Sequence, residues 1–175
     1  MDDLRYPIGK FKSVRRPLTA DERKALIAAI RETPTKLRAA VTGLSDEQLD
    51  TPYRDGGWTL RQVVHHVVDS HVNAYVRFKL AATEDWPTIR TYEEKDWAEL
   101  PDAKTLPPEV SLAILDALHA RWVAFLELAR PEYFESQLHY PVMGDIPVDV
   151  LLEIYGWHGR HHTAHVLGLR ERSGW

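Results

Sequence analysis

Histidines are the residues of this chain whose type and spacing most directly predict chemistry. There are nine in 175 residues, and most fall in two short segments, one with His65, His66 and His71, the other with His158, His161, His162 and His165. The pair His158 and His162 has the four-residue spacing that places two side chains on one face of a helix, about a turn apart. Two imidazoles placed in this way can reach a single ion at the roughly 2.0–2.1 Å of a Zn–N bond. The spacing therefore predicts part of a metal site.

The neighbours of this pair predict that it faces the core. Its helical stripe also carries the apolar or aromatic residues Leu151, Tyr155, Val166 and Leu169. Buried imidazoles cost free energy unless each finds a partner, and one ion in a bundle core would satisfy both. The HExxH protease motif is absent, because the residues between the pair are Gly159, Arg160 and His161. A chance pair that is solvated or hydrogen-bonded remains an alternative from spacing alone.

A third ligand is predicted on another helix. The segment that starts at Leu60 is apolar nearly all round, so it should be buried, and a histidine within it is an unexpected polar group. A bond to the ion would explain either His65 or His66. Periodicity does not choose between them, because adjacent helical positions point about 100° apart and both sides are apolar.

The other polar candidates have competing interpretations. Asp69 lies one turn from His66, where it could hold a ligand imidazole or accept a proton in catalysis, or merely be a solvated or helix-pairing aspartate. His161 is predicted to face away from the pair, at the surface or an interface. His71 and His119 are predicted to be satisfied core or surface histidines rather than catalytic bases.

Four long helices are predicted to position these residues. Capping boxes open the first, over 19–43, and the second, over 59–82, while Pro108 and Pro147 suit the first turns of helices over 108–129 and 147–172. Pro34 should kink the first helix or split it in two. With almost no strand pattern, the prediction is an all-α fold: a four-helix bundle with long loops, forming a single domain over 1–175.

Three connections separate these helices. Ser45 and Gln48 predict a connector of a turn or two. The segment 83–108 is predicted to be a long loop whose aromatic residues roof the site or pack as satellite core, namely Trp86, Tyr92 and Trp97. The stretch 133–146 is predicted to be a loop or a small hairpin.

Composition restricts the possible partners. Cysteine is absent, which removes thiolate ligands, disulfides and cysteine nucleophiles and suits a reducing compartment. The net charge of -4 is spread over interspersed signs, so no nucleic-acid or membrane partner is indicated. No signal peptide or membrane-spanning stretch is recognised, and the expectation is a cytoplasmic protein that forms a homodimer, the common oligomer.

Long sequence words over nearly the whole chain resemble a known family. They are YPIG at 6–9, TPYRDGGWT at 51–59, RQVVHH at 61–66, DSH at 69–71, RFKL at 77–80, WH at 157–158 and HHTAH at 161–165. With these words the chain resembles the DinB superfamily, and within it the YfiT-type proteins described as metal-dependent hydrolases, some of which act as thiol S-transferases. The resemblance implies the four-helix bundle of that family.

The resemblance also implies a ligand set. The ligand of the second helix in the family follows the tryptophan of the Trp-Ser/Thr start by eight residues, which is His66 here, and the other ligands are His158 and His162. The family word usually continues as His-Arg-Gly-Gln, whereas here His165 stands in place of the glutamine, so the wider family pattern assigns His165 no role. We interpret His165 as a residue behind the ligands and take Asp69 and His165 as candidate catalytic residues.

Three neutral imidazoles would leave the full charge on one divalent ion and a coordination position open, as in catalytic zinc sites. Zinc is named first on availability, and nickel is the alternative. Such a site could activate water for hydrolysis of a small-molecule substrate, or a low-molecular-weight thiol for S-transfer. A non-catalytic metal-binding module is a further alternative that the sequence does not exclude.

Overall fold

The computed structural model describes residues 3–175. Within them the chain forms seven α-helices, a 3-10 helix and a two-stranded hairpin. In chain order these are α1 (Ala20–Val41), α2 (Asp46–Leu49), α3 (Leu60–Thr83), α4 (Glu94–Ala98), α5 (Pro101–Thr105), α6 (Pro108–Leu128), the 3-10 helix (Pro131–Glu135), β1 (Gln137–Tyr140), β2 (Gly144–Pro147) and α7 (Val148–Ser173). The predicted four-helix bundle is confirmed, with α1, α3, α6 and α7 as its long helices.

Local sequence signals explain where the helices begin. At the starts of α1, α2 and α3, a Ser or Thr side chain accepts a hydrogen bond from the third helical N–H, and the Glu or Gln at that position accepts one from the cap N–H. Each of these capping boxes satisfies two N–H groups that would otherwise lack partners. Helix α6 begins instead with Pro108, whose fixed φ suits a first turn and whose missing N–H costs nothing there.

The four long helices pack side by side. Helix α1 packs against α6 and α7, and α3 packs against the same two helices from the other side. Two glycines allow α7 to approach α1 closely: a Cβ on Gly156 would lie 2.6 Å from a methyl carbon of Leu26, and one on Gly159 would lie 2.3 Å from Thr33 Oγ1. Within residues 3–175, no helix combines the length and apolar character needed to cross a membrane.

Two apolar clusters fill the bundle and leave a polar layer between them. One is built around Phe78, Trp122 and Tyr155, and the other around Val64, Leu115 and Val166, together with further aliphatic residues. Along α6 and α7 the buried histidines lie between residues of one cluster and residues of the other, as does His71 on α3, whereas His65 and His66 lie among residues of the second cluster. The fold therefore collects polar groups in the interior, where each needs a partner.

Two details differ from the sequence-based expectations. Helix α1 runs unbroken through the buried Pro34, so the predicted split is wrong; packing against α6 and α7 holds the helix together. The segment 83–108 is not a continuous loop, because it contains α4 and α5. These five-residue helices are too short to show periodicity. The open choice at 133–146 is resolved as an antiparallel hairpin, with Gly144 at φ 81° after its turn.

Candidate metal centre

Three histidines from two facing helices meet in the polar layer. Helix α3 supplies His66, and α7 supplies His158 and His162, so that one ligand nitrogen from each lies within 4.8 Å of the other two. Their ring centroids are 4.5 to 5.3 Å apart. Since tetrahedral zinc holds nitrogens at about 2.0–2.1 Å, and hence roughly 3.4 Å from one another, small side-chain rotations close the site. The arrangement fits one ion.

Electrostatics make these three imidazoles suitable ligands. Burial lowers the pKa of His66 to about 3, and the nearby His161 and His165 act in the same direction. Burial likewise holds the pKa values of His158 and His162 well below the usual value, and neighbouring histidines add to the effect. All three are therefore neutral near pH 7, and a neutral imidazole has the lone pair that a metal needs.

His65 is engaged elsewhere. Its Nδ1 lies 2.7 Å from Ser111 Oγ, and its Nε2 lies 3.0 Å from the Leu106 carbonyl oxygen. Both ring nitrogens are thus used in joining α3 to α6 and to the residue that follows α5. The geometry brings His66, and not His65, to the pair on α7, a choice that periodicity left open.

Aromatic side chains line the surroundings of the three histidines. Trp58 lies 4.6 Å from His66 between ring centroids. In the segment 83–108, the rings of Tyr92 and Trp97 are 4.5 Å apart, and the Tyr92 hydroxyl is buried without a hydrogen-bond partner. Trp86, in contrast, is 54% exposed. Trp97 is also exposed, at 39%, and a roof over the three histidines formed by this segment stays a prediction.

Asp69 is partly buried on α3. Within residues 3–175, no hydrogen bond joins its carboxylate to any of the three histidines, so it does not hold a ligand ring in this structure. Burial raises the pKa of Asp69 to about 6, and the charge of Asp102 acts in the same direction. A carboxylate with this pKa can exchange a proton near neutral pH.

His165 lies directly behind one of the three histidines. Its Nδ1 is 3.4 Å from Nδ1 of His162, and its Nε2 is 3.2 Å from the Arg5 carbonyl oxygen. Burial lowers the pKa of His165 to about 4. These contacts place His165 between His162 and the N-terminal segment, and its role stays a prediction.

The expectation of a surface position for His161 is wrong. His161 is only 6% exposed, and its ring stacks on Trp157 at 4.1 Å. The N-terminal segment covers this face of α7, with Tyr6 near His161 and Phe11 against Trp157. That segment has no helical periodicity, so nothing in its sequence pattern indicated that it would bury His161.

His71 and His119 are satisfied core histidines, as expected, but their connection to the site was missed. His71 Nε2 lies 3.1 Å from His158 Nδ1, and His71 Nδ1 lies 2.8 Å from His119 Nε2. His119 Nδ1 in turn lies 2.7 Å from the Ile30 carbonyl oxygen. The residues come from four different helices, so spacing along the chain carried no signal of this contact.

Proteins similar over their whole length carry names that agree with this geometry. The chain is 53% identical over 175 residues, all of both sequences, to a Bacillus cereus (strain B4264) protein named "Putative metal-dependent hydrolase". A Bacillus thuringiensis subsp. konkukian (strain 97-27) protein with the same description is 52% identical over the same full length.

Two solved structures and one family model are also similar to this chain. YfiT from Bacillus subtilis, described as "a probable metal-dependent hydrolase with an unusual four-helix bundle topology", matches with a TM-score of 0.95 and 47% identity over 98% of both chains. TT2238, a four-helix bundle protein, matches in fold alone, with 18% identity and a TM-score of 0.56 over 87% of this chain and 99% of its own. Residues 29–166 match the family described as the DinB superfamily. The chain therefore belongs to the DinB superfamily.

Proposed function

We propose that His66, His158 and His162 bind one divalent metal ion and that the protein is a metal-dependent hydrolase. The observation that carries this proposal is the ligand group itself: three neutral imidazoles with their nitrogens within 4.8 Å and no carboxylate among them. Such a group leaves the ion its full positive charge and leaves room for a further ligand. The names of the full-length relatives support the same activity.

When bound, a divalent ion at this position supplies Lewis acidity for activating water or a thiol. Zinc is our first choice and nickel the second, because imidazole suits both. His158 keeps part of its surface accessible while His66 and His162 are buried. We therefore place the substrate on the side of His158, next to Ser70, whose Oγ lies 3.4 Å from His158 Nε2.

We assign Asp69 the role of proton acceptor. Because its pKa is about 6, Asp69 is mainly ionised at neutral pH and can accept a proton. The same pKa is close enough to pH 7 for the protonated form to give the proton back. The rate should then rise with pH through about 6 in the wild type, and Asp69→Asn should remove this limb and lower kcat. An unchanged pH profile in the variant would exclude Asp69 from proton transfer.

The test of the proposed activity is a panel of ester and amide substrates, assayed with metal-loaded, metal-free and His158→Ala protein. Hydrolysis that requires the ion and is abolished in His158→Ala is the expected result. The chain has no cysteine, so any thiol must come from solution, and parallel reactions with an added small thiol and an electrophile test S-transfer. Consumption only in the presence of the thiol would replace hydrolase with S-transferase.

A non-catalytic metal-binding module predicts a different outcome. It would bind the ion stoichiometrically and turn over neither hydrolysis nor S-transfer substrates at any pH. The binding of the ion and the catalytic activity are therefore separate measurements, and the first can succeed where the second fails.

A further inference from the structure

Three histidines connect the metal centre to the backbone of α1. The chain of contacts runs from His158 Nδ1 to His71 Nε2 (3.1 Å), from His71 Nδ1 to His119 Nε2 (2.8 Å), and from His119 Nδ1 to the Ile30 carbonyl oxygen (2.7 Å). His71 is 0% exposed and His119 2%. Water therefore does not replace these contacts, and each nitrogen depends on the partner that it has.

The final acceptor sets the direction of every hydrogen bond in this chain. A carbonyl oxygen only accepts, so Nδ1 of His119 must carry the proton. In a neutral ring Nε2 of His119 is then an acceptor, which requires a proton on Nδ1 of His71. By the same step Nε2 of His71 accepts from Nδ1–H of His158. The remaining nitrogen, His158 Nε2, then carries no proton, and its lone pair faces Ser70 Oγ at 3.4 Å, a contact that an ion would replace.

Pro34 explains why the Ile30 carbonyl is available. In a regular helix this oxygen accepts from the N–H of the residue four positions later, which is position 34. Proline has no N–H, so the intrahelical bond is missing at this point. His119 from α6 donates to the oxygen instead. Pro34 thus frees the acceptor at which the row of hydrogen-bonded histidines ends.

A second, shorter chain ends in the same manner. His165 Nε2 lies 3.2 Å from the Arg5 carbonyl oxygen, and His165 Nδ1 lies 3.4 Å from His162 Nδ1. The carbonyl requires the proton on Nε2 of His165, so Nδ1 of His165 accepts from Nδ1–H of His162. His162 Nε2 then carries no proton, as in His158.

We propose that His71, His119 and His165 are positioning residues that hold His158 and His162 in the Nδ1–H tautomer, so that Nε2 of each is presented to the metal ion. This inference rests on the metal site proposed above and not on the hydrolytic activity. Hydrogen bonds behind metal-bound histidines usually end on a carboxylate, a carbonyl or water. Here further histidines carry the hydrogen bond to a backbone carbonyl.

Burial keeps these hydrogen-bonded histidines neutral, and the direction of each hydrogen bond between them depends on that neutrality. Burial disfavours a charged imidazolium at His71, His119 and His165, because none of the contacts named above supplies a carboxylate to balance the charge. Near pH 7 each ring therefore carries one proton and can donate only one hydrogen bond. A donor and an acceptor must then alternate along each chain.

The direct test is the tautomeric state of each histidine in metal-free protein. Two-bond 1H–15N spectra of protein with 15N-labelled histidine distinguish Nδ1–H from Nε2–H rings, and loss of a signal in single variants assigns it. The expected pattern is Nδ1–H for His119, His71, His158 and His162, and Nε2–H for His165. An Nε2–H ring at His158 or His162 would overturn the proposal, whether or not the protein hydrolyses any substrate.

A variant pair links the tautomers to metal affinity. His119→Phe removes the final donor, so His71 and then His158 lose their fixed tautomers, and zinc affinity should fall by about 10–100-fold, as for other partners of metal-bound histidines. Trp122→Phe is the packing control, because its ring contacts both His71 and His119 and its Nε1 has no hydrogen bond to lose. The control should keep wild-type affinity and tautomers. Equal zinc affinity in the two variants would contradict the proposal.

Discussion

Replacing Gly159 by alanine should separate α7 from α1 beside the metal centre. The added Cβ would lie 2.3 Å from Thr33 Oγ1 and 2.6 Å from Thr33 Cγ2. Ordinary contacts between such atoms begin near about 3.5 Å, so the helices must move apart by roughly 1 Å. His158 is the adjacent residue, and such a displacement exceeds the roughly 0.5 Å tolerance of a functional site.

The size of the effect follows from two opposing terms. Overpacking a filled interior costs about 1–3 kcal/mol, whereas glycine to alanine in a helix gains about 1 kcal/mol. The free energy of unfolding should therefore fall by about 1 kcal/mol, which lowers Tm by roughly 2–4 °C for a chain of this length. Zinc affinity should fall more markedly, because one ligand is displaced.

Denaturant unfolding and zinc titration measure the two effects. Gly168→Ala is the matched control on the same helix, since its Cβ would meet only the end of the Arg172 side chain, at 3.1 Å; it should be neutral or stabilising. Thr33→Ala removes the two closest atoms and should restore stability and zinc affinity in the double variant. A Gly159→Ala protein as stable as Gly168→Ala, with wild-type zinc affinity, would refute the close-contact argument.

Three further predictions concern charge and metal removal. Burial raises the pKa of Asp69 to about 6 from its usual 3.8, so the stability contributed by its neutral form is lost as pH rises through about 6. Metal-free Asp69→Asn should therefore be more stable than wild type by about 1 kcal/mol at pH 7, allowing for solvent screening. Denaturant unfolding should show equal stability of the two proteins near pH 3.5. Asp149→Ala removes the carboxylate 2.8 Å from the Arg23 guanidinium, which is 12% exposed and keeps Glu135 at 3.8 Å. The loss should cost about 2–3 kcal/mol. Its control, Asp145→Ala, removes an exposed pair and should change thermal unfolding little. Chelation should lower Tm by on the order of 5–10 °C while helical circular dichroism persists, because zinc at 100 times its Kd contributes about 2.7 kcal/mol; loss of the helical signal at room temperature would contradict this.

Local signals explain why the main helices were predictable. The capping boxes at Thr19 and Thr59 act within one turn of chain, and the structure shows both hydrogen bonds of each. The ends of the long helices therefore agree with expectation to within a residue or two. The short helices α4 and α5 were missed because five residues offer no period to detect, although Pro101 stands at a first helical position.

The candidate site also combines residues that a local sequence pattern predicts with residues that no local pattern predicts. The spacing of His158 and His162 is a property of one helix, so the sequence alone predicted it. The choice of His66 over His65 came from the family resemblance. The contact between His71 and His119 joins residues 48 positions apart, and no local pattern encodes it. The single-domain organisation, homodimer and cytoplasmic location, and the catalytic roles of Asp69 and His165, remain predictions.

Metal analysis of purified single alanine variants tests the central claim most directly. Wild type should contain one divalent ion per chain, and His66→Ala, His158→Ala and His162→Ala should each lose nearly all of it. His65→Ala should keep its metal ion, because both ring nitrogens of His65 already form hydrogen bonds with Ser111 and Leu106. An empty site in His65→Ala together with a full site in His66→Ala would contradict the ligand set.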